Sequence, residues 1–439
     1  MTRPAALVTV YICTVVYCCG IIYAYEKLSH FWHYFGFYYN IKGHSVIYAF
    51  SITAAMPSVL LSKRVSTLAD FSAWILYFII FLPCALVPVM QNASIEKSLP
   101  THLLLLISSV VFILCCRVQI INVRAPRISS RNFWIFYLAL YAIFLIPVLV
   151  TFQGSLNLVS FDDVYDQRYF GASQSNVFTS YAVPILSDAM NPFLIAAGLA
   201  TRRRAMVFAG AASQLLLFAT FAMRSTILSP ILIVGAWHLF SSKGELSGAR
   251  LAGALAGVVI AFLPLMVNYD NDGLHGAVAT LLYMRTLLIS GVTFGVYDTF
   301  FSIYPNTFLS HMFLGRLFSD YPYGELQIGQ VVGQFLAPST GMYSVNYNAH
   351  FLATDGLAGF GRAGIIPAAA ILGLVLSGLG QFLASERTRM AAAASVPFLI
   401  NLANVSLFTS LLTGGGALLT LLLIMSDEMV HSAQSKTPK

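Results

Sequence analysis

"AMVFAGAASQLLLFATFAMRSTILSPILIVGAWHLFS", residues 205–241, is predominantly apolar, and its one charged residue lies in "MRST" near its centre. It is too long for one bilayer crossing, which takes about 20 residues. Arg202, Arg203 and Arg204 precede it, and Lys243 and Arg250 follow. Lys and Arg collect in cytosolic loops, so both flanks belong on that side. The stretch therefore reads as two helices in a tight hairpin with Arg224 at its outer tip.

Outside it, the pattern repeats. The chain has 439 residues, 58% hydrophobic and 9% charged, against about 25% charged in a soluble domain. Its apolar runs are continuous rather than alternating, which excludes a β-barrel. The expected fold is an all-α polytopic integral membrane protein with about twelve transmembrane helices. They are predicted near 5–25, 45–62, 70–90, 101–121, 132–152, 181–200, 205–223, 225–241, 251–268, 364–384, 391–405 and 408–425. The first span has only Arg3 before it and no small-residue cleavage site after it, so it is read as retained. Cys13, Cys18, Cys19, Cys84, Cys115 and Cys116 all fall inside apolar runs. None has metal-ligand spacing to a His, and no disulfide framework is expected.

The formal charge of +7 is explained by where the charges sit. Alternating the spans from a cytosolic Arg3 puts sixteen of the 24 basic residues on the cytosolic side. Only Asp70, Glu245, Glu386, Asp427 and Glu428 join them as acids. The basic excess thus orients the chain at an anionic inner leaflet, with both termini cytosolic and no nucleic-acid partner. Three regions follow: spans one to nine (1–268), a large outer loop between spans nine and ten (269–363), and the last three spans with a cytosolic tail (364–439). A connection that long is usually functional. Within it, "GAVATLLYMRTLLISGVTFGVYDTFFSIY" (276–304) is interrupted by Arg285. It is read as a helix lying on or dipping into the outer face, because counting it as a span would reverse the basic residues that follow.

The basic residues left on the outer side need reasons. Arg224 sits at membrane depth with no loop to carry it into water, which makes it a functional candidate. Arg285 lies among Leu, Tyr and Met. Arg168, in "YDQRYFG", has Asp162, Asp163 and Asp166 nearby, and Arg316 lies in "FLGRLF". Snorkelling to lipid headgroups or surface ion pairing are the alternatives at each. Taken together, they suit an anionic lipid carrier such as a polyprenyl diphosphate, because the guanidinium fork matches phosphate geometry. The apolar spans would hold its tail.

The segment "NYNAHFLATDGLAGFGRAG" (346–364) sets His350 and Asp355 just before a span, ahead of Gly359, Gly361 and Gly364. A His there could take a proton from a hydroxyl. The same residues also suit an ordinary loop His and helix-packing glycines, and on spacing alone that reading is the stronger. "YDNDG" (269–273) places Asp270 and Asp272 two apart, but it reads as a turn. No P-loop, nucleophile elbow or dinucleotide fingerprint is found.

The chain resembles the O-antigen polymerase (Wzy-type) family of repeat-unit polymerases and, more distantly, the WaaL-type O-antigen ligases. The resemblance lies in the layout of spans and loops and in "YDQRYFG", "FAMRSTILSPIL", "YMRTLL", "YDTFFSIYP" and "YNAHFLATDGLAGFGRAGII". The ligases carry a His, a polar residue, nine residues and then GxxG. His350, Gly361 and Gly364 fit that spacing, while Phe351 departs from the polar position. Some polymerases carry an Arg with a Gly eleven residues later, and neither Arg168 nor Arg285 has one.

The resemblance implies glycan transfer between undecaprenyl-diphosphate-linked oligosaccharides, donor and acceptor, at the periplasmic face of a bacterial inner membrane. Arg224 and Arg285 would bind the diphosphate, with Arg168 and Arg316 helping. His350 would be the catalytic base, with Asp355 or Glu325 in reserve. No metal or cofactor is implied. Membrane lipid is a partner, and there is room for a chain-length regulator protein. Ligation to lipid A-core, or transport of a lipid-linked sugar, are the competing expectations.

Overall fold

The computed structural model describes residues 3–426 apart from 42, 120–127, 155, 157–166, 168–169, 172, 222, 242–244, 271–272, 313–314, 337–345 and 382–386. It is helical almost throughout. The long helices are α1 (Arg3–Ser29), α3 (Leu68–Gln91), α4 (Ile95–Cys115), α5 (Ser130–Thr151), α6 (Val177–Ala200), α7 (Arg204–Phe221), α9 (Gly248–Met266), α10 (Gly273–Phe301) and α12 (Gly361–Gln381). Between and after them lie α2 (His44–Ala55), α8 (Arg224–Leu239), α11 (Ile328–Leu336), α13 (Thr388–Asn401), α14 (Leu407–Leu412) and α15 (Gly416–Met425). Among the described residues, nine helices are long and apolar enough to cross a membrane.

The central α3 is 94% buried, whereas α5 is only 17% buried. Yet α5 exposes Ile135, Leu138, Ile143, Ile146 and Val150. A long helix that shows bare aliphatic side chains to its surroundings needs hydrocarbon around it. The chain is an all-α polytopic membrane protein.

The two ends of the helices differ. At one end the two-residue strands β1 (Arg64–Val65) and β2 (Leu246–Ser247) pair antiparallel. Thr388 donates to Ser66 O, and Arg117 donates to Leu60 O. Arg389 donates to Trp237 O and lies over its ring at 3.9 Å. This is the basic end. At the other, the loop end, Trp32 Nε1 donates to Tyr269 at 2.8 Å and Gln91 Nε2 to Gly36 O at 2.9 Å.

Three of the long helices, α3, α6 and α10, carry π turns, and in the first two a Pro follows. In α3 the turn is Tyr77–Phe81, where Leu82 N–H bonds Tyr77 O. Pro83 has no N–H for Phe78 O, and Tyr17 of α1 supplies a donor instead, its hydroxyl bonding at 2.9 Å. A backbone carbonyl freed in an apolar interior would otherwise cost kcal/mol. The neighbouring helix is thereby pinned in register.

Three features differ from the sequence reading. The spans expected at 45–62, 225–241 and 391–405 fold as shorter helices. The span expected at 408–425 is two helices: the first ends at Leu412, and Gly415, with a φ of +77, caps the start of the second. Finally, α10 is one helix long enough to cross a membrane, where the sequence reading has it lying on or dipping into the outer face and does not count it as a span. Its neighbours place both of its ends at the loop end. Thr280 bonds Tyr269, Gly295 packs on Gln91, and Asp298 meets Thr101. Its middle turns inward, with Tyr283 donating to Val259 O and Ser290 to Ile79 O, each at 2.5 Å.

Candidate functional site

A cavity of about 780 Å³ opens at the loop end. Its walls come from the loop around 309–329, from 348–354 ahead of α12, from α14 and from the start of α6. The lining mixes polar groups (Arg316, Glu325, Asn348, Thr409) with apolar ones (Phe318, Phe408). That mixture is common to sites that take a ligand part polar and part apolar.

His311 lies on this lining, and Asp355 backs it. Thr307 Oγ1 donates its single hydrogen to Ala358 O at 2.9 Å. It therefore accepts from His311 Nδ1, also at 2.9 Å. That bond puts the ring proton on Nδ1 and leaves Nε2 a bare lone pair. Nε2 faces Asp355 Oδ1 at 3.8 Å. Two lone pairs confront each other there, which explains a gap too wide for a hydrogen bond. Both atoms are buried without a hydrogen-bond partner. Asp355 Oδ2 is held by Leu407 N–H at 2.8 Å, so the carboxyl group is fixed in orientation. A proton arriving at Nε2 would close the pair, and the carboxylate would stabilise the imidazolium formed.

Arg316 stands on the same cavity. Its Nε donates to Ser310 O at 3.2 Å, and its guanidinium lies 5.6 Å from the Tyr321 ring centroid. No carboxylate bonds it among the described residues, so its remaining donors are open to an anion.

The other predicted residues lie elsewhere. His350 is fully buried, with Nε2 at 3.0 Å from Ser290 O and Nδ1 accepting from Leu352 N–H at 3.3 Å. Cys84 Sγ is 3.3 Å from Nε2, and the ring stacks near Phe294. Burial pushes this imidazole down to about 4, although the Ser290 carbonyl pulls the other way. With both nitrogens engaged inside the core, it has the geometry of a packing residue and not of a base facing a substrate. Arg285 lies over the Phe35 ring at 5.1 Å and does not line the cavity. Arg224 begins α8 at the loop end, and its side chain lies outside the described ones. Arg168 lies outside the described residues. The glycines of the 346–364 segment serve the backbone. A Cβ on Gly364 would strike Gly356 O, and Gly361 takes φ +63 beside Asn306.

Of the predicted set, then, Arg316 and Glu325 line the cavity and Asp355 backs it behind His311. Sequence reading missed His311. It shares a loop with Arg316, but nothing in its spacing announces an acid that arrives from far downstream. Among the described residues, no cluster of three or more His, Cys, Asp or Glu could hold a metal ion. Comparison of the chain with models of known families, with curated proteins and with solved structures finds no match.

Proposed function

We propose that this chain polymerises undecaprenyl-diphosphate-linked oligosaccharide repeat units into an O-antigen or exopolysaccharide, at the periplasmic face of a bacterial inner membrane. The reaction is glycan transfer by glycosyltransferase chemistry, with guanidinium charge in the place a metal would otherwise take. A hydroxyl of the acceptor's sugar attacks the anomeric carbon of the donor glycan. The bond from that carbon to the diphosphate oxygen breaks, and undecaprenyl diphosphate leaves. The hydroxyl proton passes to His311 Nε2 once the seated substrate opens that buried atom to the cavity, and Asp355 stabilises the resulting imidazolium. Arg316 stabilises the charge that develops on the diphosphate. Arg224, at the loop end of the α7–α8 hairpin, is the second candidate for that anion.

The observation that carries this reading is the meeting of Arg316 with the His311–Asp355 pair on one cavity. An acid–base group and an anion-binding group in one site are what displacement at a sugar diphosphate requires. The test is complementation of a deletion strain. Wild type should restore long glycan, while His311→Ala and Arg316→Ala should leave single repeats on the lipid core. Loss of all surface glycan with long lipid-linked polymer accumulating would assign the ligase reaction instead. Full-length glycan from both variants would remove this site.

A further inference from the structure

Asp188 lies midway along α6 in "VPILSDAMNPF", the only Asp, Glu, Lys, Arg or His of that span. Here α6 opens into the π turn Leu186–Met190, and Asn191 N–H reaches back to Leu186 O. The next residue, Pro192, has no N–H for Ser187 O. Gln214 of α7 supplies a donor, its Nε2 bonding at 2.7 Å. The Asp188 carboxyl group is held at both oxygens. Ser187 Oγ donates to Oδ1 and Asn401 Nδ2, from the last residue of α13, to Oδ2, each at 3.0 Å.

Both donors are neutral. On the helices packed here, Arg131 of α5, Arg204 of α7 and Arg389 of α13 each sit in the first turn, far along the helix from Asp188. Arg224 and His238 stand at the two ends of α8. The titratable groups that face the turn are the phenols of Tyr137 and Tyr141, which donate to Met190 O at 3.0 Å and to Asn191 Oδ1 at 2.7 Å. Two further polar atoms close by, Gln214 Oε1 and Asn191 Nδ2, are buried with no hydrogen-bond partner. Gln214 is 1% exposed and Asn191 is 0% exposed. Buried polar groups are normally satisfied, and a carboxylate buried without a counter-charge costs several kcal/mol. The turn therefore holds a carboxyl group with no counter-charge among its hydrogen-bond partners, and spare polar atoms beside it. π bulges are frequent at functional sites, and an ionisable residue inside a span marks function by default.

We propose that Asp188 is the centre of a monovalent-cation site inside the membrane, taking a proton or an alkali ion. One carboxylate balances one positive charge. A divalent ion would leave net positive charge in a low-dielectric interior. The Ser187 hydroxyl, bonded to Oδ1, and Gln214 Oε1, on the amide that bonds Ser187 O, are the neutral oxygens that would join the carboxylate. The site stands apart from the cavity and does not rest on the glycan-transfer reading.

The test compares purified wild type with Asp188→Asn in lipid nanodiscs. The thermal unfolding midpoint is followed from acidic to alkaline pH in choline chloride, then at alkaline pH with sodium or potassium chloride. If the occupant is a proton, the folded state holds it more tightly than the unfolded one. The wild-type midpoint then falls as pH rises through the folded pKa, and the Asn variant lacks that fall. If the occupant is an alkali ion, sodium or potassium raises the wild-type midpoint by several degrees at constant ionic strength, and the variant does not respond. Identical pH and salt responses in the two proteins would overturn the proposal. Should the variant fail to fold, infrared spectra of wild type labelled at aspartate replace it. A carboxylic-acid band lost on raising pH, or a carboxylate band shifted by alkali ion, supports the site. A carboxylate band unmoved by either overturns it.

Discussion

His311 Nε2 and Asp355 Oδ1 face each other across 3.8 Å, buried, with no hydrogen bond made by either atom among the described residues. Catalytic contacts in a free enzyme are often long and tighten when the substrate is seated. Nε2 is assigned as the proton acceptor and Asp355 as its electrostatic support. His311→Ala should lower turnover by about 10²–10⁴-fold, the usual worth of general-base catalysis. Asp355→Asn keeps the shape and removes the charge, so it should lower turnover while leaving substrate binding close to wild type. Separate determination of kcat and KM on lipid-linked repeat units checks both.

Among the described residues, the Arg316 side chain makes one hydrogen bond to the protein and lies near the Tyr321 ring. Arg316→Ala should cost about 10²-fold or more in turnover, comparable to losing one preorganised donor to a developing anion. Arg316→Lys should recover only part, because an ammonium cannot present the guanidinium fork. Turnover of the three proteins at saturating donor decides this.

His350 predicts a stability effect instead. Its ordinary pKa near 6.5 is pushed down to about 4 by burial, so the fold favours the neutral ring. The stabilisation is fully present above pH ~6.5 and is lost as pH falls toward ~4, a difference of roughly 3 kcal/mol. Denaturation followed across that window should show the loss in wild type and a smaller one in His350→Asn. Turnover per folded molecule of the variant should remain within about tenfold of wild type, because no ring nitrogen faces the cavity.

Much of this was legible in the sequence, and the limits have physical causes. Long apolar runs flanked by basic clusters announce helices, and the hairpin at 205–241 folds as α7 and α8 about Arg224. The 408–425 break was not legible, because the run Gly414, Gly415 and Gly416 suits close helix packing as well as a left-handed turn. Both in fact occur, since a Cβ on Gly415 would lie 2.9 Å from Ala189 Cβ. For the site, Arg316 and Asp355 were foreseen as separate signals. Spacing cannot show that His350 turns inward to Ser290 O while His311, well upstream, meets the acid. Nor does periodicity reveal a π turn, although Pro83 and Pro192 mark where two of them end.

Gly364 tests the packing reading of the GxxG pair. A Cβ there would strike Gly356 O, and both sides of the contact are backbone. Gly364→Ala should destabilise by about 1–3 kcal/mol, the cost of overpacking. A lowered thermal midpoint, with kcat of the surviving folded fraction unchanged, is the expected result. A normal midpoint with lost turnover would instead give the glycines a direct part in binding sugar.

The most direct measurement is reconstituted polymerisation. Purified wild type, His311→Ala, Asp355→Asn, Arg316→Ala and His350→Asn are given undecaprenyl-diphosphate-linked repeat units, and chain length is read on a gel. A ladder is predicted from wild type and His350→Asn, and single repeats from the other three folded proteins. A full ladder from His311→Ala and Arg316→Ala, or no polymer from folded wild type, would contradict glycan transfer at this cavity.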